Sequence, residues 1–371
     1  MKKITEIRCS QLYRPMNCAG YLFFENLPPQ PTNDAAEEGT AAGELLERKL
    51  TGQNIPFLSR NGRPFDNDMH FYTDEVKKII DNTGSQQQSE ITCENRIDWQ
   101  TQSGIWIRGS YDISFIRDGK LYIDDLKYGF GHVEVKKNWQ LLAYAIGRYL
   151  QLNTNFVSIV MRIHQPRPHH EDGTTRTWEI SPMELMVYKD EIEQRMKAIA
   201  SGYNALVTGP QCKYCPAAAV CPAIGKAVYQ GVEFILNEFK QDEIDEKTIA
   251  EQLALFDRVS EILKIKQDSL KQLALDRLQN AKLIPGWTTE ESYGNRIWKP
   301  FVSPKVLETL TGKKVTEEVM LSPAKVEKLG IPKELVKEYV NRPFLGNKLV
   351  RKDSTEEANK IFGKPKEGVT L

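Results

Sequence analysis

No stretch of this 371-residue chain reaches the roughly 18 consecutive apolar residues of a membrane span, and Met1-Lys2-Lys3-Ile4-Thr5-Glu6 contains no apolar signal core. The expectation is a soluble, unexported protein of the cytoplasm with no membrane partner. Net charge is also absent, with 50 Lys and Arg against 50 Asp and Glu. That balance weighs against a passive nucleic-acid coat, and any DNA-binding surface has to come from local clustering. It leaves room for an enzyme that sets acidic metal ligands beside basic phosphate contacts. Only five histidines are present. The His169-His170 doublet sits in a proline-rich loop, where exposed polarity is the simpler account. Internal repeats and low-complexity tracts are missing too.

The cysteine pattern lacks a second short pair. Cys212, Cys215 and Cys221 follow C-x2-C-x5-C spacing, and Cys18 lies far upstream. Six cysteines so unevenly spaced argue against a disulfide framework and for thiolates that hold metal. Structural zinc usually closes its tetrahedron with two short pairs. A compact triple plus one distant thiolate instead supplies the four ligands of a [4Fe–4S] cluster, provided the fold brings Cys18 to the triplet. Zinc is the alternative, and Cys9 rivals Cys18 as the remote ligand. Cys93, in an expected strand near Ile91, reads as a buried free thiol.

The length favours two domains or one domain with a large appendage. Residues 10 to 24 read as helical around Cys18. Pro28-Pro29-Gln30-Pro31 breaks the chain, a helix resumes over Glu37 to Leu50, and residues 61 to 68 read as loop. Strands are expected over 91–97, 105–109, 111–117 and 121–126, in a largely antiparallel meander closed by a turn at Asp118-Gly119. Next come a helix from Trp139 to Leu150, a strand through 157–163, its partner over 174–180, and a helix starting at Ser181-Pro182 and reaching about Leu206. Residues 243–282 are charged and helical in period. The expected organisation is a core over 1–232, a charged helical segment over 233–283, and a small mixed α/β region over 284–371 with a hairpin around Ser292-Tyr293-Gly294-Asn295.

Gly109-Ser110-Tyr111-Asp112 and Ile123-Asp124-Asp125-Leu126-Lys127 carry the chemistry. Phosphodiester hydrolysis needs a divalent ion, and hard ions prefer carboxylate oxygens. If the two segments pair as a hairpin, Asp112 and Asp125 lie opposite each other near its open end. Lys127 then shares the face of Asp125 by period-two alternation. Its ammonium can orient an attacking water and offset charge on the phosphate. Gln140 and Tyr144, four apart on the next helix, share one face that closes over the same spot. An isolated Asp-x-Lys is usually a solvated turn; its company here, with Gly109-x-x-Asp112 before it and an apolar run leading in, favours a site.

Gly109-x-x-Asp112, Asp125-Leu126-Lys127-Tyr128-Gly129 and Gln140-Leu141-Leu142-Ala143-Tyr144 together resemble the PD-(D/E)xK nucleases of the RecB-like branch over about residues 8 to 225. With the cysteines added, the chain is similar to the iron–sulfur subset of that branch, which includes AddAB-type recombination nucleases and CRISPR-associated adaptation nucleases. A likeness over nearly the whole chain, to a family of phage and prophage proteins assigned to the superfamily, rests on Asn17-Cys18-Ala19-Gly20, Leu27-Pro28, Glu38-Gly39-Thr40-Ala41-Ala42, Gly286-Trp287, Leu321-Ser322-Pro323-Ala324-Lys325-Val326-Glu327-Lys328 and Leu349-Val350.

The resemblance implies a restriction-endonuclease-like α/β core, a mixed central sheet flanked by helices, with an iron–sulfur staple and a mainly helical C-terminal extension. It implies Mg²⁺- or Mn²⁺-dependent exonucleolytic cleavage of DNA in phage recombination or replication, in the host cytoplasm. It makes Asp112 and Asp125 metal ligands, with the Leu126 carbonyl able to join them, Lys127 the catalytic lysine, and Gln140 and Tyr144 the following helix motif. Cys18, Cys212, Cys215 and Cys221 become the cluster ligands. A single-strand annealing protein or other phage recombination protein is the implied partner, and oligomerisation is compatible with it. Two departures stand out. Gly43 occupies the place of the pattern's metal-binding histidine, with Glu44 or Glu47 as compensation, and Ala19 replaces the usual proline after Cys18. The competing functions are a non-catalytic iron–sulfur DNA-binding scaffold and a zinc-stapled adaptor that docks through its charged helix.

Overall fold

The hairpin at the centre of the fold follows from its turn. Asp118 and Gly119 both have positive φ, 50° and 71°. This matches the right-handed twist of the flanking strands across a two-residue loop. The turn joins β3 (Trp106–Arg117) to β4 (Lys120–Leu126), paired antiparallel from Arg117–Lys120 to Ile113–Asp124. This computed structural model describes residues 2–25, 27, 34–85, 89–168, 172–235, 246–293, 297–298, 304–315, 323–328, 331–341 and 344–351. The His169-His170 doublet, the Pro28 to Pro31 break, Gly294-Asn295 of the expected hairpin, and Leu321-Ser322 lie outside the described residues.

The expected strands over 105–109 and 111–117 are one, β3, long enough to carry three neighbours. Along one edge it pairs antiparallel with β2 (Thr92–Gln100). Along the other it takes β1 (Glu6–Arg8) in parallel at its start and β4 at its end. Between those two partners the edge at 109–112 is free of ladder partners among the described residues, and the site opens there. β4 then pairs in parallel with β5 (Ser158–His164), and β5 antiparallel with β6 (Thr175–Ile180). β2, β3 and β4 thus form the expected antiparallel meander, and the whole sheet is mixed because α4 (Trp139–Leu152) crosses over between β4 and β5 and returns the chain in the same direction.

Helices cover both faces. Leu141, Leu142 and Ile146 of α4, with Leu185, Ile192 and Met196 of α5 (Pro182–Ala200), pack on one face against Ile107, Ile123 and Met161. On the other face, Leu46 of α2 (Asp34–Thr51) and Val76 and Ile80 of α3 (Asn67–Asp81) pack against Phe115, Tyr122 and Val160. Helix α3 is additional to the elements expected from the sequence. Its signals are the Asp66 cap, whose carboxylate accepts from Met69 N at 2.7 Å, and buried Met69, Thr73, Val76 and Ile80 at helical spacing. The Ser181–Glu184 capping box starts α5 as expected. The helix stops at Ala200 rather than Leu206, because residues 205–207 bond instead to the Cys18-Ala19-Gly20 segment.

That N-terminal segment comprises a short helix α1 (Tyr13–Asn17) and a 3₁₀ turn over Ala19–Phe23, with Cys18 extended between them. After the cysteine triplet come α6 (Pro222–Ile235) and α7 (Glu246–Gln279). The chain divides into compact units over 1–267 and 268–371. The division falls within α7. The first half of that helix packs on the cysteine region through Ile262 and Ile265, and Lys266 Nζ donates to the Ala219 carbonyl at 2.5 Å. In the second unit β7 (Trp287–Tyr293) pairs antiparallel with β10 (Phe344–Arg351). β8 (Ile297–Trp298) pairs with β9 (Val340–Asn341). A small core there joins Leu307, Val315, Val326, Ile331, Val336 and Val340. Among the described residues no helix is long and apolar enough to cross a membrane.

Candidate active site

The free stretch of the β3 edge positions the first carboxylate. Gly109 leaves space filled by the Cys9 and Tyr144 side chains, which a Cβ would meet at 3.0–3.1 Å. Tyr111 packs on the α4 side of the sheet, whereas Ile113 packs on the α2/α3 side, so β3 changes face at Asp112. Opposite, in β2, Glu94 takes φ +50°, a conformation costly outside glycine and concentrated at functional sites. Asp112 stands one register step beyond the Ile113–Asp124 pair, across from Asp125. Its Oδ2 accepts the Leu126 N–H at 2.9 Å, so the carboxylate takes the place of a ladder bond.

Of the adjacent aspartates, alternation sends one to each face. Asp124 is fully buried among polar partners. Arg162 donates to both its oxygens at 2.8 and 2.5 Å, and His164 Nε2 lies 3.1 Å from Oδ2. Burial alone would raise its pKa; Arg162 and His164 outweigh that and hold it below the usual carboxylate range. Asp125, on the α4 side, meets Lys127. The ammonium is 3.1 Å from Oδ1 in hydrogen-bond geometry and 2.8 Å from Oδ2, which is buried without an aligned donor. Asn138 caps α4 by accepting from Gln140 N and Leu141 N. The first turn then brings Gln140 Oε1 3.4 Å from Lys127 Nζ, its Nε2 3.3 Å from Asp125 Oδ1, and the same Nε2 3.1 Å from Tyr144 OH. Asp125, Lys127, Gln140 and Tyr144 therefore form one hydrogen-bonded chain, and Asp112 adjoins it through the Leu126 backbone.

The electrostatics are those of crowded carboxylates. Burial, then the charge of Asp125, pushes Asp112 up to about 8, against the pull of Lys127 and the Leu126 N–H. Burial would lower the Lys127 pKa, but Asp125 and Asp112 outweigh it and raise it above the ordinary lysine value. Asp112 also lines a small pocket with Gly43, Leu46, Glu47, Glu94, Ile113 and Leu126. Glu47 faces that pocket and pairs with Arg60 at 3.0 Å. Glu44 turns away to Arg48 Nε at 2.9 Å and the Arg60 N–H at 2.6 Å. Of the two acids that could replace the histidine, Glu47 is the one at the pocket, and a Cβ on Gly43 would meet nothing within 4 Å. Glu94 is the residue that sequence reasoning misses: nothing in its type or spacing marks it, and only its backbone conformation does.

The cysteines expected together border one small pocket. Cys18, Cys212, Cys215 and Cys221 line it, with Arg14, Tyr21, Phe24, Leu206, Val207 and Ile224 among its walls. Gly20 N donates to Ala205 O at 2.9 Å and Val207 N to Cys18 Sγ at 3.4 Å. A Cβ on Gly20 would overlap the Asn204 carbonyl and the Leu206 side chain, so glycine is required for this approach. Burial raises the Cys212 thiol and pushes Cys215 to about 11. Cys9 is buried in the main core against Gly109 instead, its pKa pushed by burial to about 12. Cys18 rather than Cys9 is therefore the remote member of the cysteine group. Cys93 is half-buried against the Ile113 and Phe115 cluster, also raised to about 12 by burial. Among the described residues no three His, Cys, Asp or Glu side chains gather tightly enough to hold a single metal ion.

Among solved structures, the protein SSO0001 is 13% identical, with 60% of this chain and 89% of that one covered and a TM-score of 0.31. A candidate exonuclease from Eubacterium rectale is 11% identical, covering 52% and 84%, with a TM-score of 0.29. An alkaline exonuclease from Laribacter hongkongensis is 15% identical, covering 54% and 90%, with a TM-score of 0.26. The family described as protein of unknown function DUF2800 matches residues 7–356, nearly the whole chain, and the protein belongs to that family.

Proposed function

We propose that the protein is a metal-dependent deoxyribonuclease that hydrolyses phosphodiester bonds, exonucleolytically, in phage DNA recombination or replication. The observation that carries this reading is Asp112 across from Asp125 at a break in the sheet edge, with Lys127 Nζ 2.8 Å from Asp125. Two carboxylates without a tight third ligand suit Mg²⁺ or Mn²⁺, since hard octahedral ions keep several waters and bind through one or two carboxylates plus substrate phosphate. The Leu126 carbonyl and Glu47 are further oxygen donors at the pocket. A divalent ion there supplies polarisation of the phosphoryl oxygen and a lowered pKa for water. Lys127 orients the attacking water and offsets charge developing on the phosphate. Gln140 holds Lys127 and Asp125 in position, and the Tyr144 hydroxyl holds Gln140.

The cysteine pocket supports a [4Fe–4S] cluster on the Cys18, Cys212, Cys215 and Cys221 thiolates. The four cysteines line one small pocket, yet no three of them gather tightly enough to hold a single ion. That suits a cluster with one thiolate per iron better than a single zinc with all four sulfurs about 2.3 Å away. Its role in this reading is to fasten the N-terminal segment to the end of the core.

The test is digestion of end-labelled DNA with Mg²⁺ or Mn²⁺. Asp112→Ala and Lys127→Ala should each abolish cleavage while folding and iron content stay as in wild type; wild-type digestion by either variant would sink the reading. Gly43 favours a second reading, because it leaves open space where the family pattern puts an imidazole. In that case the protein is a catalytically weakened DNA-binding scaffold that recruits a recombination partner. Tight DNA binding by the wild type, with no cleavage under either ion, selects it.

A further inference from the structure

The segment just after Lys127 displays an aromatic ring that the hydrolytic chemistry does not use. Phe130 is 65% exposed. A single exposed apolar residue needs no explanation in general, but this one is held by unusual bracing. Gln165 is fully buried, and its Nε2 donates to the carbonyls on both sides of Phe130, Gly129 O at 2.8 Å and Gly131 O at 2.7 Å. Arg176, buried beside it, donates to Gln165 Oε1 at 2.6 Å and to Val133 O at 2.9 Å. The Arg167 guanidinium lies 4.4 Å from the centre of the Phe130 ring and 4.6 Å from that of Tyr128. It is anchored to Glu38 at 2.7 Å. One side of the ring is thus occupied by a fixed cation. Gly129 and Gly131 leave its flanks clear: a Cβ at either would meet nothing within 4 Å, and neither has positive φ.

This placement adjoins the site. Phe130 follows Lys127 by three residues, so its Cα lies within about 11 Å of the lysine's. Arg167 follows His164, whose carbonyl accepts the Lys127 N–H at 2.9 Å, by the same number. Both therefore sit at the carboxyl ends of adjacent parallel strands, where ligands of α/β sheets bind. Single-stranded nucleic acids are held by aromatic faces and by cation–π contacts from arginine, which accept any base.

We propose that Phe130, backed by Arg167, is a stacking platform for an unpaired base of the substrate strand, next to the phosphodiester presented to Asp112, Asp125 and Lys127. The proposal rests on the nuclease reading and specifies its substrate as a single-stranded end, read without sequence preference. It is tested by fluorescence anisotropy with a short fluorescein-labelled DNA single strand and a strand of equal length lacking bases, with Ca²⁺ replacing Mg²⁺ to prevent turnover. Phe130→Ala should weaken binding of the normal strand about tenfold, the order expected for one lost base–aromatic stack. It should leave binding of the base-free strand unchanged, and Phe130→Trp should restore affinity. Unchanged melting of both variants shows that the fold is intact, as expected for an exposed ring. Equal losses on both strands, or no loss, overturn the platform while leaving the nuclease reading standing. Failure of the wild type to bind either strand also overturns the platform, and the nuclease reading then rests on digestion of duplex DNA, whose absence would overturn that reading separately.

Discussion

In the proposed hydrolysis Asp112 is the residue on which the chemistry turns, and its setting has a thermodynamic signature. Its folded pKa, about 8, lies far above the ordinary value of 3.8. Between those limits the folded protein holds a proton that the unfolded chain has released. Stability without divalent ions therefore falls as pH rises across that window, and is highest below it. Melting temperature in the presence of a chelator should drop between about pH 5 and pH 8, and Asp112→Asn should flatten the slope; an unchanged slope in the variant would remove Asp112 as its source. At this scale the sequence is informative about type and spacing. Asp112, Asp125, Lys127, Gln140 and Tyr144 can be read from strand alternation and one helical face. Glu94 and Phe130 cannot be, because what marks them is a positive φ and a buried glutamine far along the chain.

At the scale of elements, the site depends on how closely α4 seats on the sheet. Gly147 lies in the buried face of that helix, and a Cβ there would overlap Ile97 Cγ2 and meet Trp99 Cδ1 at 3.1 Å on β2. Gly147→Ala should destabilise the protein by about 1–3 kcal/mol, the range for overpacking. It should also slow cleavage by shifting Gln140 and Tyr144 against Lys127. Chemical denaturation beside a digestion assay checks both, and a variant with wild-type stability would show that the contact relaxes freely. Most elements are legible from periodicity and turn chemistry, the Asp118-Gly119 hairpin above all. Strand direction is not: the local pattern of β4 and β5 is the same whether they run parallel or antiparallel, and only the crossover through α4 decides. The early end of α5 is hidden for a similar reason. Its last expected turn is exchanged for bonds to Cys18 and Gly20, and the Val207 N–H that reaches the Cys18 sulfur is 189 positions from it in the chain.

Over the whole molecule, a cluster on the four thiolates of the proposed set would close a loop of roughly 190 residues from Cys18 to Cys212 within the larger unit. A cluster bound there adds its binding free energy to folding. Cys18→Ser and Cys215→Ser should each strip iron from anaerobically purified protein and lower its melting temperature, whereas Cys9→Ser should retain iron. Iron lost only with Cys9 would reassign the remote ligand. The paired acidic edge at Asp112 and Asp125 is separate from the cysteine pocket, and the account stands or falls with that edge. The most direct measurement is calorimetric titration of Mn²⁺ into the protein at neutral pH. The wild type should bind the ion with release of protons, and Asp112→Asn and Asp125→Asn should each lose that binding while remaining folded. Undiminished Mn²⁺ binding in a variant lacking both carboxylates, or none in the wild type, would contradict it.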